Sequence, residues 1–437
     1  MNYYDVLFAK KLNGGGSSGG GGGWQRPSGY PDLYSLNISN EEALYITYRA
    51  NNIDGVDSFA SFQVTSSGSY TVEIGTVNNG TFTAISSETL ASNTAFMKWL
   101  VGYSVPYVVI RITGTITKFE KKNFTLDGNN FDQGTQYMVE VYGRLPNLTE
   151  LYRSSFAETR ELESVKLIDM QSVTTLERAF YNSRRLENVY ISGVVQRCKG
   201  YYAFALCKDL QYVYCNGIKL GDVQNLFDGS PVRYSDFEGW DVVWNGNCSS
   251  VFANTLFKSY DLRNWDITTT TPTSCFKETR AMRYVDISTW TVSGNAPGMF
   301  NNSGVEEIPT MSSWSNITNI ANLFSGSMLT GKITMPSTGV TDLGTSLQYL
   351  NNVESITIPN TYTNIPAQAF RDASNCEEIH FLATTPPTLA NSNAFTTNMN
   401  ANLKIYVPYS ADHSVLTAYQ TASNWSSVAS KIVEEAQ

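Results

Sequence analysis

The chain has 437 residues, with 30 Lys plus Arg against 39 Asp plus Glu, a net charge of -9 and a pI near 4.9. That length excludes a minidomain dependent on disulfide staples, and that charge has the wrong sign for gripping phosphate backbones, so no nucleic-acid partner is expected. Charged residues make up only 16%, against roughly 25% in an average soluble domain, and aromatics reach 13%; the expectation is a mainly β chain with a neutral polar surface.

In Met1–Asn13, Tyr4, Leu7, Phe8 and Leu12 recur at helical spacing, with Asp5 early and Lys10 and Lys11 late, as the helix dipole prefers. So short an amphipathic helix is marginal alone, which makes it a docking peptide awaiting a partner's surface. Gly14–Gly23 contains only Gly and Ser. It has nothing to bury and reads as a linker, with a typical end-to-end reach of about 17 Å.

From Trp24 to about residue 140 the pattern becomes one of short β runs, Tyr45–Tyr48, Ser61–Val64, Tyr70–Ile74 and Tyr107–Ile112, separated by Gly, Asn and Ser turns. A small β-sandwich is expected over residues 24–140. Trp24, Arg26 and Pro27, the run GSYTVEIG from Gly68 to Gly75, and PYVVIRITG from Pro106 to Gly114 resemble immunoglobulin-like domains of the polycystic-kidney-disease type. The family's Trp-Gly-Asp-Gly turn is replaced here by Gly75, Thr76, Val77, Asn78, Asn79 and Gly80. DGNNFDQG from Asp127 to Gly134 starts like a calcium loop, but Phe131 stands where an oxygen ligand belongs and Asp132 where Gly is needed. It reads as a polar turn between sandwich and repeats, and no metal is expected.

Over residues 141–407 a phenylalanine returns every 23 to 25 residues: Phe156, Phe180, Phe204, Phe227, Phe252, Phe276, Phe300 and Phe324, then Leu347 in its place, then Phe370 and Phe395. Behind it comes an alternating apolar set, such as Leu162, Val165 and Leu167, or Leu186, Val189 and Ile191. The alternation puts two side chains on one side of a short strand while the Phe arrives from the opposite wall of a coil. Four such anchors contribute about 8 kcal/mol, at about 2 kcal/mol each, far less than the cost of ordering 24 residues. Coils of this kind must therefore stack and share one core, forming a solenoid of about eleven coils.

These residues resemble the BspA-like leucine-rich repeats of bacterial surface antigens. Ala179-Phe180, Ala203-Phe204, Ala369-Phe370 and Ala394-Phe395 match that unit's opening. The middle coils resemble a sister subtype with a Trp-Asp element, in Trp240-Asp241, Trp265-Asp266, Trp290 and Trp314. Spaced by one coil, these rings form a ladder. Exposed, they suit sugar faces; buried, they close the corner of each coil. Residues 408–437 turn helical, with Val415, Ala418, Tyr419, Ala422, Trp425, Val428 and Ile432 marking a terminal cap, a device usual in BspA-like arrays.

Candidate chemistry is sparse. His380 and His413 lie far apart, and the six cysteines show no paired spacing, so free buried thiols are expected and neither a cofactor nor a metal is. No Walker loop, GxSxG elbow or HExxH helix occurs. Asp236 with Asp241, or Asp261 with Asp266, provides carboxylate pairs of the kind glycosidases use. The expectation is a protein that is not an enzyme. No apolar run is long enough to span a bilayer, and no basic-then-apolar leader opens the chain, so neither membrane insertion nor secretion is expected.

The opening MNYYDVLFAKKLNGGG also resembles short N-terminal tags on virion proteins of tailed bacteriophages, including gut crAss-like phages. That resemblance implies a virion structural protein, a fibre, tail or capsid-decoration component. It would dock on other virion proteins through residues 1–23, form a homo-oligomer on the particle, and present the solenoid to a host-surface protein or glycan. A bacterial surface adhesin and a polysaccharide-depolymerising tailspike are the alternatives.

Overall fold

The computed structural model describes residues 30–50, 58–122, 124–126, 129–131, 137–310, 314–337, 339–395 and 398–436. It divides into two compact units, Met1–Gly221 with Ser230–Asp241, and Asp222–Gly229 with Val242–Gln437.

The first unit opens with strands β1 (Ala43–Arg49), β2 (Phe59–Ser66), β3 (Tyr70–Asn78), β4 (Thr81–Leu90), β5 (Ala95–Trp99), β6 (Tyr107–Thr113) and β7 (Ile116–Lys121), the hairpin β8 (Phe124–Leu126) and β9 (Asn129–Phe131), and β10 (Met138–Arg144). They form an antiparallel sheet in the order β10-β1-β6-β3-β4, and a second of β5-β2-β7. All four expected runs fall inside strands, in β1, β2, β3 and β6. The apolar alternation explains the layers: Leu44, Ile46, Val108, Ile110 and Ile112 are fully buried on one side. On the other side Tyr45, Val109 and Tyr142 are covered by Leu33, Leu36 and Ile38.

The sandwich does not end before the coils begin. β10 pairs antiparallel with β1 on one edge and parallel with β11 (Ser164–Ile168) on the other, and the ladder runs on through β12 (Asn188–Ile191), Tyr212–Tyr214 and Tyr234–Ser235. Sandwich and coils thus share one nine-stranded sheet. The boundary expected at residue 140 falls inside β10. An uncovered first coil would expose both core and an unpaired strand edge, and β10 covers that edge.

The buried rings continue across the same junction. Phe62 of β2 lies 5.5 Å from Phe119 of β7, Phe119 lies 5.5 Å from Phe156, Phe156 lies 6.0 Å from Phe180, and Phe180 lies 5.6 Å from Phe204. At Phe180, Phe204, Phe227, Phe252, Phe276, Phe300, Phe324 and Phe370 the backbone turns a corner using left-handed residues two before and two after the ring, as at Arg178 and Asn182, or Tyr202 and Leu206. That corner has its own ladder: the N–H groups of Arg178, Phe180 and Asn182 donate to the carbonyls of Tyr201, Ala203 and Ala205 at 2.9 to 3.0 Å.

In the second unit the ring stack runs through Phe227, Phe252, Phe276, Phe300 and Phe324 with centroids 5.3 to 5.9 Å apart, and Phe370 stacks on Phe395 at 5.1 Å. Leu347 is fully buried in the corresponding position. Strands Gly331–Thr334, Val353–Ile358, Glu378–Phe381 and Lys404–Val407 form a parallel sheet in chain order. The cap is only partly helical. Helix Ser414–Thr421 and the 3-10 segment Trp425–Lys431 seat Trp425 against Phe395, Phe381 and Tyr419. The chain then returns as strand Ile432–Glu434, which pairs in parallel with Lys404–Val407. His380 and His413 hold that strand's end, against Glu435 and Glu434 respectively.

Candidate binding surface

Each coil spends its inward residues on the core and turns the alternate ones to the sheet's other face, where Tyr190 and Tyr214 are themselves buried beside Tyr34 and Ile168. Val165 and Leu167, Val189 and Ile191, and Val213 and Cys215 are fully buried. Between them stand Lys166, Tyr190 and Tyr214, and the register aligns Tyr142, Lys166, Tyr190 and Tyr214 in one cross-strand row. The Lys166 ammonium lies 5.5 Å from the Tyr142 ring centre, 5.4 Å from Tyr190 and 5.7 Å from Tyr34, within cation–π range. Burial raises the Tyr142 phenol above its ordinary pKa. A second row stacks Tyr212 on Tyr234 at 4.9 Å, and Tyr234 remains 49% exposed at the sheet's edge. This tyrosine face was not anticipated; its signal in the sequence is a Tyr held between two core anchors one period apart.

A different surface lies on the corner side of the second unit. The left-handed residue two after the repeated anchor is Asn or Gly in many coils, including Asn254, Asn302 and Gly326, but Tyr349 and Asp372 in the coils of Leu347 and Phe370. These two side chains, with Asn351, Ser374, Asn398 and Asn400, line an open cleft of about 690 Å³. Inside it Asn398 Nδ2 donates to Asp372 Oδ1, Arg371 Nε donates to Asp372 Oδ2 at 3.2 Å, and Ser374 Oγ donates to Asn351 Oδ1 at 3.3 Å. The Arg371 guanidinium sits 5.4 Å from the Tyr349 ring centre, and Tyr349 keeps 40% of its surface in solvent.

The tryptophans are not part of any surface. Trp240, Trp265, Trp290 and Trp314 are 1%, 0%, 1% and 7% exposed, which removes them as a sugar-stacking ladder. Trp265 and Trp290 instead lie 5.3 Å and 6.0 Å from Phe252 and Phe276, filling the coil interior where a large flat ring buries most area. The repeated phenylalanines from Phe156 to Phe370 are buried, and Phe395 is half-buried beside Trp425.

Three of the four acids in the carboxylate pairs are engaged structurally, and Asp266 stands exposed. Asp236 Oδ1 accepts from the Cys215 N–H at 2.9 Å and from Trp240 Nε1 at 2.8 Å, and burial raises its pKa. Asp241 pairs with Arg197, and Asp261 with Arg263. All six cysteines are buried and unpaired with one another; burial pushes the Cys198, Cys207, Cys248 and Cys376 thiols up to about 12. Among the described residues no group of three or more His, Cys, Asp or Glu gathers as a metal site, and no helix is long and apolar enough to cross a membrane. Tyr4, Leu7, Phe8 and Leu12, the Gly14–Gly23 stretch, and Asp127, Gly128 and Asp132–Gly134 of the loop lie outside the described residues.

A family model described as BspA type leucine-rich repeat region matches in six copies, over residues 140–229 and 297–413. The interval between the two matches holds Trp240, Trp265 and Trp290. A search of curated proteins finds no match. Among solved structures, a leucine-rich repeat protein from Bacteroides ovatus ATCC 8483 is 14% identical, over 74% of this chain and 95% of that one, with a TM-score of 0.33. The pneumococcal vaccine antigen PcpA is 13% identical, over 72% of this chain and 88% of that one, with a TM-score of 0.32. Over residues 140–229 and 297–413 the chain therefore carries BspA-type leucine-rich repeats, built as a solenoid of about 24-residue coils that follows a β-sandwich.

Proposed function

We propose that the chain is a non-enzymatic recognition protein: a virion component, of fibre, tail or capsid-decoration type, tethered by residues 1–23 and presenting its solenoid to a host surface. The observation that carries the recognition role is the division of labour within each coil. Inward residues supply a continuous core and the row of Tyr142, Tyr190 and Tyr214 packs as a second buried layer around Lys166, while the corner side of the later coils leaves an open polar cleft lined by side chains that packing does not use. Side chains fixed on a rigid stack lose little further freedom on binding, which favours recognition by preorganisation. The tether rests on sequence: an amphipathic peptide with Tyr4, Leu7, Phe8 and Leu12 precedes ten residues of Gly and Ser.

Deleting residues 1–23 tests the tether. The shortened protein is expected to fold and remain soluble but no longer join the particle, and incorporation at normal copy number refutes the docking role. A cell-surface adhesin is the second reading, favoured by the match to BspA-type repeats. Fractionating an infected or expressing culture separates the two, since a virion component sediments with particles and an adhesin with the cell envelope.

A further inference from the structure

The cleft around Tyr349 is the surface whose chemistry is most specific. From it we infer that the solenoid's last coils bind a neutral oligosaccharide, with Tyr349 as the stacking platform and Asp372, Asn351 and Asn398 as the hydroxyl-binding groups. This deepens the recognition reading above by naming the partner's chemistry.

Three observations converge. The first is residue type in a costly conformation. Tyr349 has φ +61°, in the left-handed region, at a position where Asn182, Gly229, Asn254, Asn302 and Gly326 stand in five coils and Glu158, Leu206, Glu278 and Asp372 in four; among the described residues it is the one aromatic ring placed there. A bulky side chain is uncommon there, and such a residue costs of order 1 kcal/mol or more that Asn or Gly would avoid. Packing does not explain the choice, because the ring is not buried in the core: 40% of the residue remains exposed. The second is the balance of charge. Asp372 is matched by Arg371, and the other named lining groups are amides, a hydroxyl and a phenol, so the cleft carries no excess charge to select a phosphate, a sulfate or a basic peptide. The third is the pairing of an aromatic ring with clustered amide and carboxylate oxygens. A sugar ring presents an apolar CH face and a rim of hydroxyls that are both donors and acceptors. The phenol ring suits the first, and the carboxylate and amides, each with acceptor or donor capacity beyond its present bond, suit the second. At about 690 Å³ the cleft lies within the roughly 300 to 1,000 Å³ range of small-ligand sites.

The test uses the full chain and the Tyr349→Asn variant. Asparagine tolerates the left-handed backbone, so this change removes the ring while the unfolding midpoint stays level or rises. Binding is first screened on an array of neutral oligosaccharides, then measured by calorimetry with the best of them. The expected result is binding by the wild type and at least a tenfold loss in Tyr349→Asn, with a smaller loss in Asn351→Ala. The inference is overturned if no neutral oligosaccharide binds at millimolar concentration, if Tyr349→Asn binds as well as wild type, or if only sulfated glycans or a host-surface peptide bind. Attachment of both proteins to host cells is scored in parallel. Cell attachment that survives in Tyr349→Asn with no saccharide binding removes the glycan site and leaves surface recognition standing, whereas loss of all attachment by wild type removes both.

Discussion

Phe119 is the place to ask whether sandwich and coils are one body. Its side chain is 1% exposed and lies 5.5 Å from both Phe62 in the sandwich and Phe156 in the first coil. Truncating a buried phenylalanine to alanine costs about 3 to 5 kcal/mol, including about 0.5 to 1.5 kcal/mol for each ring pair lost. Domain stabilities are themselves about 5 to 15 kcal/mol, so Phe119→Ala is expected to leave a folded but weakened protein. The informative readout is amide hydrogen exchange followed by mass spectrometry. If the shared sheet and ring stack make a single cooperative unit, protection in β2 and β7 and in β11 and β12 falls together, by roughly two to four powers of ten at about 1.4 kcal/mol per tenfold. Independent modules behave differently: β2 and β7 loosen while β11 and β12 keep wild-type protection. That outcome, or a loss below about 1 kcal/mol, refutes the continuous core.

Two further predictions concern buried titratable groups. With every thiol buried and its pKa raised by desolvation, none of the six cysteines is expected to react with a thiol reagent at pH 8 in the native protein, and all six in denaturant; a fast-reacting native thiol contradicts the placement. Asp236→Asn keeps an oxygen acceptor for Cys215 N–H and Trp240 Nε1 while removing a buried charge. Because burial raises the Asp236 pKa, its contribution to stability is full at low pH and declines as pH rises through the folded value. The variant should therefore match or exceed wild type in urea unfolding at pH 7 and lose ground to it as pH falls toward about 3; a deficit of about 1 kcal/mol at pH 7 argues against this.

The repeat was readable because two periods reinforce each other, a Phe every 24 residues or so and a Val-x-Ile alternation behind it, and both are core signals that packing enforces. The side of a coil on which a tryptophan lies was not readable. Trp265 carries a ring suited equally to a sugar face and to a buried corner, and only its placement against Phe252 decides. β4 escaped notice because most of its residues are exposed and its apolar ones, Phe82, Ala84, Ile85 and Leu90, follow no alternation that would announce a strand. Strand Ile432–Glu434 is three residues long, too short for any period. The Tyr349 cleft sits in the coil where Leu347 replaces the repeated Phe, so the motif that would have placed its corner was weakest there.

The double role of β10 bears on how such a chain avoids misassembly. An array of near-equivalent rungs has a built-in ambiguity: any strand can zip onto the wrong neighbour one repeat away and still satisfy most of its bonds. β10 cannot be mistaken for a rung, because its far edge is already committed to β1 with antiparallel pairing. It gives the array a fixed origin from which each later strand is counted, so that the sandwich serves the solenoid as the first tooth of a zip fastener does.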